Sequence, residues 1–190
     1  MISNELMQIQ KILGEKSNSA NISWVSRIVP GNQKIYGVKT PDLNVIVRQF
    51  KEGSFSLADE LWKSGALEEK IIAIKILEKT GKRDPEKLFR LFKKFASNVD
   101  NWAVCDGLGM QCLRGVVKTH SSDIFSLAKK FNSSADPWQR RLSLVMVEWY
   151  TRDKVFHPKI RSLIKELSSD SEYYVRKAVE WLKRNLAKGK

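Results

Sequence analysis

The stretch "RRLSLVMVE", Arg140–Glu148, decides the fold. It sets one small residue, Ser143, inside an apolar run at helical spacing, with charge at both ends. The same arrangement returns 35 residues later at Ala178, in "VRKAVEWLK" (Val175–Lys183). It also stands 70 residues earlier at Ala73, in "EKIIAIKIL" (Glu69–Leu77). The fourth position of the series falls near Leu108, in "CDGLGMQCL" (Cys105–Leu113), where Gly107 and Gly109 are the small residues. A glycine inside a helix costs about 1 kcal/mol relative to alanine. Here the return on that cost is close approach between neighbouring helices.

Between these segments lie amphipathic second helices, "EKLFRLFKKF", "IFSLAKKF" and "IRSLIKEL". A helix pair repeated at a period near 35 predicts an all-α chain, an α-solenoid of HEAT-like repeats. Start and stop signals place about eleven helices. Thr40–Pro41, Asp84–Pro85 and Asp136–Pro137 are helix starts, and Gly65 is a stop. Asn98 or Asp100 should open the glycine-bearing helix, Ser122 or Asp123 the one after it, and Asp170 should cap the last. "KIYGV" is the one β-flavoured patch. The 190 residues read as a single repeat domain, 1–190, with a concave basic groove.

The net charge is +13. Such a field attracts polyanions, nucleic acid first and anionic membrane second. The cations recur inside apolar-periodic segments, so they belong to a folded surface rather than a loose arm. No run reaches the roughly 18 apolar residues that span a bilayer, and "MISNELMQIQKILGEK" lacks the basic start and apolar core of a signal peptide. A cytoplasmic protein is expected, and a monomer, since no long heptad seam is present. Cys105 and Cys112 project in different directions from one helix and read as buried, reduced thiols. His120 and His157 lack ligand-spaced neighbours, so no metal site is expected. Nor does a serine triad or a glycine-rich phosphate loop emerge.

The repeat register places Asp106, Arg141 and Arg176 at equivalent phase, each 35 residues from the next. Trp138 and Tyr173 correspond to each other, and Trp102 lies one position from their column. Trp102 and Asp106, four apart, share a helix face. An acid among bases is either a structural partner of Arg141 or a working carboxylate. A carboxylate beside aromatics suits a bond cleavage whose transition state is an oxocarbenium ion. Trp138 reads as helix-start packing or as a cleft aromatic, and Trp24, Trp62 and Trp149 as core.

The stretches "YGVKTPDL", "ELWKSGALEEKIIAIKILEK", "NWAVCD", "PWQRRLSLVMVEWY" and "YYVRKAVEWLKRNLAK", taken in that order and spacing, make the chain similar to the AlkD-like DNA alkylation-repair glycosylases. That resemblance implies a fold of HEAT-like repeats and excision of positively charged N3- or N7-alkylated purines from duplex DNA, with no metal or other cofactor and no need to flip the base. It implies Trp102, Asp106 and Trp181 as the catalytic set and Arg141 as a DNA contact. Arg176, Arg140, Lys177 and Trp138 complete the expected DNA-binding surface. Two other readings stay open. One is a catalytically weak or inactive solenoid that recognises damaged, branched or bulged DNA. The other is a scaffold for an acidic protein.

Overall fold

A computed structural model describes residues 3–50 and 54–188. Eleven α-helices and no strand occur among the described residues, so the fold is all-α, as the periodicity predicts. The residues group into two compact units that divide between Phe95 and Ala96.

The first unit carries α1 (Asn4–Glu15), α2 (Ser19–Ile28), α3 (Thr40–Gln49), α4 (Phe55–Ser64), α5 (Leu67–Thr80) and α6 (Pro85–Ala96). Leu6, Ile9 and Leu13 form the buried face of α1. Ser54 caps α4 by accepting from the Leu57 N–H at 3.1 Å, and Gly65 ends it at φ +84°, the left-handed stop that glycine favours. Trp62 is core, stacked on Phe95 at 4.1 Å between ring centroids. Trp24, expected in the core, is instead 56% exposed.

"KIYGV" forms no strand because its backbone bonds go elsewhere. The N–H groups of Tyr36, Gly37 and Val38 all donate to the carboxylate of Glu68, at 3.0, 2.7 and 3.2 Å. Glu68 is buried in the first turn of α5, where the helix dipole also favours an anion. Gly37 has φ +74°, and a Cβ there would lie 2.4 Å from the Asn18 carbonyl oxygen, so no other residue fits.

The second unit carries α7 (Trp102–Gly107), α8 (Ser121–Asn132), α9 (Pro137–Val145), α10 (His157–Glu166) and α11 (Tyr173–Lys188). Asn101 caps α7 through a 2.9 Å bond from the Val104 N–H, one residue beyond the expected Asp100. α8 starts at Ser121, one residue before the expected Ser122. Asp136 caps α9 with Pro137 in the first turn. Asp170 accepts from the Glu172 N–H at 2.9 Å, ahead of the first residue of α11. Helix α9 packs against α7, α8 and α11. The register helices of this unit, α7, α9 and α11, are therefore stacked in order, with α9 in the middle.

The glycine-bearing segment departs from a plain helix. After Gly107 the chain widens into a π-helical turn, Leu108–Cys112. A Cβ on Gly109 would sit 2.7 Å from Val145 Cγ1 and 3.1 Å from the Met146 backbone nitrogen. Gly109 is thus the point at which this turn meets the end of α9.

Candidate active site

Every residue expected to act lies in the second unit. Asp106 projects from the last turn of α7, directly before the π-helical turn, a feature often found at functional sites. Its carboxylate meets Arg141 from α9 in a forked pair. Arg141 Nε donates to Oδ1 at 3.0 Å, and Nη2 donates to Oδ1 at 2.8 Å and to Oδ2 at 2.9 Å. The remaining nitrogen, Nη1, donates to the Tyr174 carbonyl oxygen on α11 at 2.7 Å. One guanidinium therefore joins three successive helices of the register.

This geometry changes the part Arg141 can play. Its side chain is 10% exposed, against 34% for Asp106. All three guanidinium nitrogens are engaged inside the protein, and four of the five N–H donors are used. Helical phase brings Asp106 and Arg141 together, but phase does not say which neighbour a long side chain will reach. Arg140 is engaged too. It donates to Asp170 at 2.6 and 3.3 Å and to the carbonyls of Ser134 and Ala135.

Burial raises the Asp106 carboxyl above its ordinary range, and the charge and hydrogen bonds of Arg141 pull it back. The fork favours the ionised form. Three donors occupy the carboxylate, whose two oxygens offer about four lone-pair sites. Only one donor reaches Oδ2, so that oxygen keeps acceptor capacity. Burial pushes the Cys105 thiol well up, and the charge of Asp106 adds to this. Neither cysteine is in a disulfide and both are buried, and an inert thiol follows at Cys105.

Aromatic groups stand on the same three helices, α7, α9 and α11. Trp102 is half-buried one turn before Asp106. Trp138 stacks on Tyr174 at 5.1 Å, Tyr174 meets Tyr173 edge-on at 5.1 Å, and Lys177 Nζ lies 5.3 Å above the Tyr173 ring. Arg176 and Lys177 are exposed and line one shallow groove at the start of α11 with Ser168, Tyr173 and Glu180. Arg176 does not extend the Asp106–Arg141 pair. Its Nη1 turns back to the Ser171 carbonyl at 2.6 Å. Trp181 is half-buried further along α11. Among the described residues no cluster of three or more metal-ligating side chains occurs, and no helix is long and apolar enough to cross a membrane.

One residue group escaped the sequence reading. Trp149, expected in the core, is half-buried beneath two guanidinium groups, Arg114 at 5.1 Å and Arg152 at 5.0 Å. Its indole nitrogen donates to the Met110 carbonyl at 2.8 Å. Met110 lies in the π-helical turn, where i→i+5 pairing alters the usual ladder. Nothing in the local sequence signals that partner.

A family model described as DNA alkylation repair enzyme matches residues 9–190. No curated protein matches the chain.

Proposed function

The chain belongs to the DNA alkylation repair enzyme family, and we propose that it is a DNA glycosylase for positively charged alkylated purines in duplex DNA. The observation that carries this reading is the Asp106 carboxylate. It is held by the Arg141 fork, keeps an available oxygen, and shares its helix face with Trp102.

A cationic base such as 3-methyladenine or 7-methylguanine is already a good leaving group. As its N-glycosidic bond breaks, the base departs neutral and the sugar becomes an oxocarbenium ion. The Asp106 carboxylate stabilises that cation electrostatically, and Oδ2 orients the attacking water. Water adds at the anomeric carbon and loses a proton, leaving an abasic sugar. Trp102 and Trp181 pack on the sugar–phosphate beside the lesion, and an aromatic face adds attraction for the developing positive charge. Arg176 and Lys177 hold the backbone. Arg141 is a positioning residue, as are Trp138 and Arg140, which brace the start of α9. Nothing in this scheme needs the base to leave the duplex for a pocket.

The test is incubation of the protein with methylated duplex DNA, followed by chromatography for free 3-methyladenine and 7-methylguanine. Release above the spontaneous rate supports the reading, and release at the spontaneous rate overturns it. One observation favours a second reading. The Asp106–Arg141 pair is also what a purely structural bridge looks like, which fits a DNA-binding solenoid without catalysis. That alternative predicts salt-sensitive duplex binding with no base release.

A further inference from the structure

The first unit carries a helix whose inner face, Asn21, Ile22 and Val25, is only half-buried. None of the ten residues of α2 is buried. Trp24 is 56% exposed and Ile28 40%. Helices usually earn their place through an apolar face, but α2 is fastened by polar bonds at its N-terminal end. The Asn18 N–H and the Ser17 hydroxyl both donate to the Tyr36 carbonyl, at 3.0 and 2.8 Å. Asn21 Nδ2 donates to the Gly37 carbonyl at 3.0 Å. The Tyr36–Val38 strip is itself clamped by buried Glu68. The result is an exposed tryptophan on a rigid base.

The segment that carries the helix has charge of one sign, with Asp42 and Glu68 reaching it from outside. Residues 16–39 contain Lys16, Arg27, Lys34 and Lys39 and no acid. Lys16 is paired with Asp42 and Lys34 with the Tyr36 hydroxyl. Arg27 lies one turn after Trp24 on the same face and has no carboxylate partner among the described residues. Its Nε rests on the Ser23 carbonyl at 3.2 Å, which orients the guanidinium on the outer side of the helix.

We propose that the outer face of α2 is a second DNA contact: Trp24, flanked by Ile28, inserts at a base step while Arg27 meets the neighbouring phosphate. Apolar wedges beside a cation are how proteins engage an opened base step. An anionic membrane suits this face less well. Its apolar residues form one narrow column, Ala20, Trp24 and Ile28, flanked by Asn21, Ser23 and Arg27, whereas an interfacial helix needs a broad apolar side. The inference rests on duplex DNA being the partner, but it does not depend on Asp106.

The experiment is fluorescence anisotropy of the full chain on an undamaged duplex at several salt concentrations. Trp24→Ala should raise Kd about tenfold, and Trp24→Phe should stay within about threefold of the unsubstituted protein. Arg27→Ala should lower the slope of log Kd against log salt by about one. Circular dichroism melts verify that the variants are folded. The proposal is overturned if Trp24→Ala and Arg27→Ala bind as the unsubstituted protein does. It is equally overturned if Trp24→Ala leaves duplex binding intact but abolishes binding to phosphatidylserine vesicles or dissociates a dimer. A failure here with Asp106-dependent base release intact removes only the α2 contact. A chain that binds no duplex removes both readings.

Discussion

Asp106→Asn changes one atom in size and removes one charge. The consequences divide between folding and chemistry. Arg141 presents three hydrogen bonds to the carboxylate, and an amide can accept these on only one of its two heads. At least one donor of a nearly buried guanidinium then faces a neutral or repelling partner. Hydrogen bonds to charged groups contribute about 1.5–3 kcal/mol each. Asp106 is a third exposed, so water offsets part of the loss, and about 1–3 kcal/mol is expected. For a chain of 190 residues that lowers Tm by roughly 2–10 °C. The protein stays folded at 25 °C. Base release is affected far more. Removing a single preorganised electrostatic contact to a transition state costs about 100- to 1000-fold in rate. Duplex binding is unchanged or slightly tighter, because an anion has left a phosphate-binding surface. Release of 7-methylguanine, anisotropy and thermal melting are measured on the same preparation. If Asp106→Asn releases base within about twofold of the unsubstituted protein, the carboxylate is a structural bridge and the mechanism is wrong.

Acid should slow base release before it unfolds the protein. Burial raises the Asp106 carboxyl, so activity falls as pH drops through that raised value. Asp170 behaves oppositely. Burial alone would raise it, but hydrogen bonds from Arg140 and the Glu172 N–H outweigh this and lower it. Its contribution to stability is present above the unfolded carboxylate value, about 3.9, and is lost as pH falls through the lowered folded value. Urea titrations between about pH 6 and pH 3 should therefore show a loss of stability at the acid end that Asp170→Asn reduces. Gly109→Ala should cost about 1–3 kcal/mol, read as a lower urea midpoint, because its Cβ would press on Val145 and on the α9 backbone. Glu68→Gln leaves one of its two oxygens, so hydrogen exchange should quicken at Tyr36, Gly37 and Val38, whose amides it holds. Exchange at those amides as slow as in the unsubstituted protein would contradict this.

How much of this could be read from residues alone varies by feature. The 35-residue register put Asp106 level with Arg141, and they touch. Periodicity reports which face a residue occupies, and faces that stack must meet. It says nothing about the ends of long side chains: Arg141, which the resemblance offers as a DNA contact, reaches Asp106 and the Tyr174 carbonyl. The same gap explains Arg140, whose partner Asp170 is 30 residues away. "KIYGV" has β propensity but forms no strand, because propensity describes fit to a pleated surface, whereas Glu68 satisfies those amides from a helix. Trp24 was assigned to the core from residue type. Its exposure follows from α2 being anchored through its polar end, which composition does not record. Gly107 and Gly109 marked a weak helix, and the π-helical turn is the form that weakness takes.

The Tyr174 carbonyl also sets a limit on what mutagenesis can find. The bond that orients Arg141, and through it Asp106, ends on a main-chain oxygen. Every natural substitution at position 174 keeps that oxygen, so scanning the site with alanine would score it as a ring that stacks on Trp138 and nothing more. The dependence of the acid on α11 would surface only when the backbone itself shifts, for instance with a proline set into that first turn or with the carbonyl weakened chemically. Sequence comparison has the same blind spot. The acid's aim rests on a group that every amino acid shares, so relatives can differ freely at 174 and leave no mark of the constraint.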